Sequence, residues 1–156
     1  MWRTGLWVAL ITCVLGYLIW AFATLDRSPD AVQVKSLVSS IVKAVQDRNL
    51  PGVVSHISRS YKDSEGFNYD RLWALIAEAL RIERPFDVSA RIISIKIDGT
   101  RAKMLVDARA WFLDEEVVYQ RNLTVHLRKE PARHALIMPT RVWRIIRIDG
   151  LGLAYY

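Results

Sequence analysis

The chain is 156 residues long, 52% of them apolar, with a formal net charge of +6, which is room for about one domain. Its one cysteine, Cys13, lies in an apolar run near the N-terminus, so the rest of the chain has no disulfide, cysteine zinc site or cysteine nucleophile. The basic residues are spread out, and the densest clusters are Arg141, Arg144 and Arg147, then Arg128, Lys129 and Arg133. A nucleic-acid partner is not expected, because such a footprint needs denser runs. The charge favours anionic lipid headgroups or an acidic partner surface, set against an ordinary solvated face.

From Gly5 to Leu25 no residue is charged. As a helix at about 1.5 Å per residue, that run matches a hydrocarbon core of about 30 Å. Trp7 near one end and Tyr17 and Trp20 toward the other suit the two interfacial belts. Arg3 precedes the run, and Asp26, Arg27 and Asp30 follow it. The positive-inside bias therefore puts the N-terminus in the cytoplasm and the remainder outside. Ala21-Phe22-Ala23 fits a signal-peptidase site, but the apolar run before it exceeds the usual 7–15 residues, so the segment is expected to be retained. Leu10-Ile11-Thr12-Cys13 is a poor lipobox: threonine precedes the cysteine and the apolar run continues from Val14 to Phe22. The expected organisation is a transmembrane anchor over 1–26, a linker over 27–30 and one domain over 31–156. An extracytoplasmic domain without disulfides fits a bacterial inner membrane.

Beyond Pro29, Val34, Leu37, Val38, Ile41 and Val45 recur at helical spacing and predict a first amphipathic helix over 31–48. Pro51 opens a short second helix carrying Val53, Val54 and Ile57. Tyr61 to Gly66 reads as a loop. Asn68 then caps a third helix over 69–82, with Leu72, Ile76, Ala79 and Leu80 inward.

The period then changes to two. Phe86, Val88, Ala90 and Ile92 share one parity and Ile93, Ile95 and Ile97 the other, which is what a β-bulge produces. Asp98-Gly99 signals a hairpin turn. Ala102 to Phe112 alternate as a second strand, Asp114-Glu115-Glu116 turns, and Tyr119, Leu123, Val125 and Leu127 mark a third. A basic loop over 128–140 leads to a fourth strand, Val142 to Ile148. The fold class is thus α+β: a transmembrane helix, then three helices packed on a curved four-stranded antiparallel sheet.

That order, with the segments LPGVVSHIS, Tyr61-Lys62-Asp63 through Gly66, YDRLWALIAEAL, DVSARIISIKIDGTRAKM and VWRIIRID, resembles the nuclear transport factor 2-like superfamily, also called cystatin-like, over about 31–149. The resemblance implies a sheet wrapped around the first helix and an open cone-shaped cavity. Its members include dehydratases, isomerases, binding modules and scaffolds, so the fold does not select a function.

In the enzymatic members a cavity Asp or His acts as a base, which needs hydrogen-bond reach to the substrate. The two candidates are His56 and Asp107. Asp107 and Arg109 lie opposite in parity to Met104, Val106 and Ala108 and are expected to face solvent, and His56 reads better as a structural histidine. His126 is expected on a polar face and His134 in the basic loop, and the three histidines form no metal pattern. No metal and no cofactor is expected. Tyr61 should pack beneath its loop, and Trp73 should be core. Trp111, opposite in parity to Phe112, should be exposed on the outer sheet face as a partner contact. The apolar tail from Leu151 to Tyr156 should dock through Tyr155 and Tyr156. With Trp7 and Trp20 in the anchor, these residues are the expected partner-binding set.

With no catalytic constellation, the expectation is a non-enzymatic accessory or scaffold subunit of a bacterial membrane complex, for example a respiratory or photosynthetic one. Its partners are the bilayer and other integral membrane subunits, with a homodimer as the alternative association. The competing reading is a membrane-tethered small-molecule binder, isomerase or dehydratase that uses the cone cavity.

Overall fold

The computed structural model describes residues 2–25, 28–113, 117–135 and 138–152, with side chains from Ala9 onward except at 117 and 118. Tyr155, Tyr156 and the side chain of Trp7 lie outside the described residues. The chain divides into two units, residues 1–28 with 131–142 and residues 29–130 with 143–156.

In the first unit, α1 (Trp2–Ala23) is a helix of 22 residues. Among the described residues no helix is long and apolar enough to cross a membrane. The described side chains of α1 begin only at Ala9, and among the described residues the transmembrane anchor expected over 1–26 is not supported. The Tyr17 hydroxyl donates to the carbonyl of Ala135 at 2.5 Å, and Thr24 Oγ1 lies 2.9 Å from His134 Nε2.

In the second unit, α2 (Asp30–Gln46), α3 (Leu50–Val54) and α4 (Tyr69–Leu80) precede the strands β1 (Phe86–Asp98), β2 (Arg101–Phe112), β3 (Val117–His134) and β4 (Met138–Asp149), of which β3 and β4 run on into the first unit. The four strands form one sheet in the order β1-β2-β3-β4, so the α+β class and the four-stranded antiparallel meander hold.

The basic loop expected over 128–140 is largely strand: β3 continues to His134 and β4 already starts at Met138. Arg128 is the last β3 residue that β2 pairs, opposite Arg101. Pro131 lies past that point, where its missing N–H removes no bond to β2.

The helix termini follow local chemistry. Asn68 Oδ1 accepts from the backbone N–H of Arg71 at 2.9 Å, and Asn49 Oδ1 accepts from Gly52 N–H at 3.0 Å. After α2 the chain turns at Arg48, which has φ +52°, and the Arg48 guanidinium donates to the carbonyls of Leu80, Ile82 and Arg84. The Leu80 carbonyl is one that the end of α4 leaves without a helical partner, and those of Ile82 and Arg84 lie in the segment that follows.

The bulge lies where the parity switch predicts it, between Ile92 and Ser94. The residue left over is Ile93, which is 50% exposed and does not join Ile95 and Ile97 in the core. A bulge leaves its extra residue unpaired and bends the strand.

The core is built by Val34, Leu37 and Val38 of α2 against Met104, Val106, Val125, Leu127, Trp143 and Ile145 of the sheet. Residues 56–62 close its edge on β4: Ile57 bridges Ile145 in parallel, the Ser58 N–H donates to Ile145 O, and the Ile145 N–H donates to His56 O. Tyr61 packs under its loop as expected, 2% exposed. Its hydroxyl donates to Asp63 Oδ2 at 2.9 Å, while Asp63 Oδ1 accepts from the N–H groups of Glu65 and Phe67.

Leu127 is 1% exposed at the centre of this packing. Leu127→Ala is expected to cost about 2–5 kcal/mol of stability through lost transfer energy and the cavity left behind, read by denaturant unfolding of the full chain in a nonionic detergent.

Candidate functional site

A cavity of about 280 Å³ opens in the second unit between the helices and the sheet. Val45 at the end of α2, Val53 of α3, and Ile76, Ala79 and Leu80 of α4 form one wall. Phe86 and Val88 of β1, Ala110 to Phe112 of β2 and Tyr119 of β3 form the other. At that wall α2 and α3 meet closely: a Cβ on Gly52 would lie 3.0 Å from Ala44 Cβ. Two arginines stack on the aromatic lining, Arg48 at 5.0 Å from the Phe86 ring centroid and Arg84 at 4.2 Å from that of Phe112.

This cavity can hold an apolar group but offers little chemistry. Its one titratable lining side chain is Tyr119, whose hydroxyl donates to Leu151 O at 3.0 Å. Burial pushes that hydroxyl's pKa upward against the lowering charge of Arg121. A phenol held neutral and already donating is a poor base at neutral pH.

Neither candidate base lines the cavity. His56 is half-buried, and its imidazole is held below its ordinary pKa first by burial and then by the charge of Arg144. Asp107 is only 6% exposed, where solvent exposure was expected. Its parity is outward as read, but two long side chains lie over it: Arg91, its cross-strand partner, with Nη2 at 3.3 Å, and Arg109 with Nη2 at 3.0 Å. Burial raises the carboxyl's pKa, but the hydrogen bond and charge of Arg109, with the charge of Arg91, outweigh it and hold the group below its usual range. Asp107 is thus a clamped carboxylate on the outer sheet face.

Trp111 is half-buried and lines the cavity instead of standing exposed. The β2–β3 register shifts between Ala110 and Trp111, which breaks the strict alternation used to place it. Trp73 is 42% exposed rather than core, in a shallow groove with Leu50, Pro51, Val54 and Tyr69. Trp20 is 57% exposed. His126 sits on the polar face as expected, its Nε2 3.0 Å from Asp149 Oδ2, whereas His134 lies in β3 and not in a loop. Among the described residues no group of His, Cys, Asp and Glu could hold a metal.

One polar cluster had no sequence signal. Glu130 Oε1 accepts from the Ser58 hydroxyl at 2.7 Å and from Arg128 Nη2 at 2.6 Å, and Arg144 Nε lies 3.9 Å from Oε2. Ser58 is 1% exposed and 72 residues away in the chain, a separation that local pattern does not bridge. Burial pushes Glu130 up, but the bonds from Ser58 and Arg128 and the charges of Arg128 and Arg144 bring it below its ordinary value. The pKa of Asp149 is also lowered: its burial is outweighed by bonds from Arg147 and His126.

Each of these acids has a folded pKa below its unfolded one, so it stabilises the fold above the unfolded value, about 4. That contribution is lost as pH falls through the folded value. Glu130→Gln should therefore lower the melting temperature at pH 7 and flatten its decline between about pH 5 and 2, measured by thermal unfolding across pH.

No family model and no curated protein matches the chain. Solved structures do. A domain of unknown function with a cystatin-like fold from Nostoc punctiforme superimposes with a TM-score of 0.61 at 13% identity, over 83% of each chain. A second protein with that fold and from the same organism gives 0.58 at 11% identity, over 76% of this chain and 87% of the other. An NTF2-like protein of unknown function from Shewanella oneidensis gives 0.57 at 13% identity, over 77% and 97%. At these identities the likeness is one of fold: the domain has the nuclear transport factor 2-like, cystatin-like architecture.

Proposed function

We propose that this chain is a non-enzymatic accessory or scaffold subunit of a bacterial membrane complex. In this reading α1 is a single-span anchor, with the N-terminus cytoplasmic and the domain extracytoplasmic. The observation that carries the non-enzymatic part is the cavity itself: its lining is apolar, and both His56 and Asp107 lie elsewhere. A pocket of that kind binds without doing proton chemistry.

The anchor is supported by the uncharged run from Gly5 to Leu25 and by the side chains that α1 leaves uncovered. Leu10, Ile11, Val14, Leu15, Ile19, Trp20 and Phe22 are all at least 49% exposed. A helix apolar on every side belongs in lipid or among other apolar helices. Tyr17 and Trp20, with ring centroids 6.0 Å apart, fit an interfacial belt.

A second reading keeps the tether and makes the domain a carrier or sensor of an apolar small molecule. It is favoured by the cavity volume, close to the 300 Å³ lower end of small-molecule sites.

The test is mild-detergent purification of the tagged full chain with mass spectrometry of whatever co-purifies. Stoichiometric integral membrane subunits are the expected outcome. A lone monomer or homodimer carrying an extractable apolar molecule would replace the scaffold reading with the carrier, and recovery in the soluble fraction without detergent would remove the anchor.

A further inference from the structure

The outer face of the sheet carries a charge arrangement that folding does not require. Ile95, Ile97, Ala102, Met104, Val125 and Leu127 point into the core, so their neighbours Lys96, Asp98, Arg101, Lys103, His126 and Arg128 point out. The register then sets like charges directly opposite one another. Lys96 pairs with Lys103, and in the next row Arg101 lies between Arg128 on one side and Asp98, the one acid of the group, on the other. Like charges facing each other across strands are destabilising. Uncharged polar residues would solvate this face equally well without that cost.

These side chains surround a hollow of about 280 Å³ near the β1–β2 hairpin. Lys96, Arg101, Lys103 and Arg128 line it, and Asp98 is the one acid among the lining residues. Two neighbouring acids do not neutralise it: Glu130 is held by Arg128, Arg144 and Ser58, and Asp149 by Arg147 and His126. Among the described residues Lys96, Arg101 and Lys103 make no ion pair.

We infer that this hollow is a binding site for a compact phosphate-bearing anion. Three uncommitted cations in a small concavity match several negative charges on one centre better than an extended acidic strand. The Arg101 guanidinium can take two phosphate oxygens at once, with Lys96 and Lys103 as point charges beside it. A lipid headgroup and a soluble phosphate share this chemistry.

The test uses the full chain in a nonionic detergent, titrated with sodium pyrophosphate against sodium chloride of matched ionic strength. Pyrophosphate is expected to bind and to raise the melting temperature where the chloride does not. Lys103→Glu sets an acid between Lys96 and His126, so it should raise the ligand-free melting temperature while weakening pyrophosphate binding at least about tenfold. Arg81→Glu, the same charge change at an exposed position beyond α4, should leave binding within about twofold. Lys103→Gln repeats the binding measurement if the glutamate variant folds poorly. Competition by dihexanoyl phosphatidylglycerol below its micelle concentration would assign a lipid headgroup, and pyrophosphate binding without that competition a soluble phosphate. Equal effects of pyrophosphate and chloride, or equal losses in the Lys103 and Arg81 variants, would overturn the site.

Discussion

Val34, Leu37 and Val38 project from α2 into a sheet face that carries Met104, Val106, Val125, Leu127, Trp143 and Ile145. The sheet must curve to enclose a helix on that face, and the bulge at Ile93 bends β1 where the curvature is needed. The open edge of β4 is then covered by residues 56–62, which pair with Ile145 and Ile146. The same geometry makes the cavity. Helix α2 fills one end of the trough, and beyond Ala44 the helical wall is made by Val45, by α3 and by Ile76, Ala79 and Leu80 of α4, with the space between Val45 and Trp111 left unfilled.

The electrostatics of the domain follow from which acids the fold commits. Asp30 receives Lys129 and the Trp143 indole N–H, Asp107 receives Arg91 and Arg109, Asp149 receives Arg147 and His126, and Glu130 receives Arg128 and Ser58. Asp107 and Asp149 each sit against two basic side chains, so the positive excess is not spread evenly. It is left over at Lys96, Arg101 and Lys103, where Asp98 is the one acid among the lining residues. The apolar cavity and the basic hollow are therefore two separate surfaces of opposite chemistry, one framed by helix ends and the other on the strand face turned away from the core.

The elements themselves were legible in the sequence because their signals are local. Asn68 as a cap, the apolar spacing of α2, the alternation from Ala102 to Phe112 and the parity switch near Ile93 all act within a few residues. Sequence and structure part where a residue's surroundings come from another part of the chain. The alternation puts Asp107 on the correct face, but its burial needs Arg91 from across the β1–β2 pair beside its own strand's Arg109. Trp111 was misplaced by a register shift against β3, and the stretch read as a basic loop is strand because β3 and β4 extend past the end of β2. The Ser58 contact with Glu130 had no local trace at all.

The sequence by itself determined most of the secondary structure, the α+β order and the apolar N-terminal run, since propensity, capping and periodicity are properties of neighbouring residues. Tertiary structure alone decided what each outward group meets. It buried Asp107 under two arginines, emptied the cavity of titratable groups other than Tyr119, and aligned Lys96 with Lys103 and Arg101 with Arg128. Those outcomes depend on strand register, and register joins residues whose separation along the chain carries no information about their distance in space.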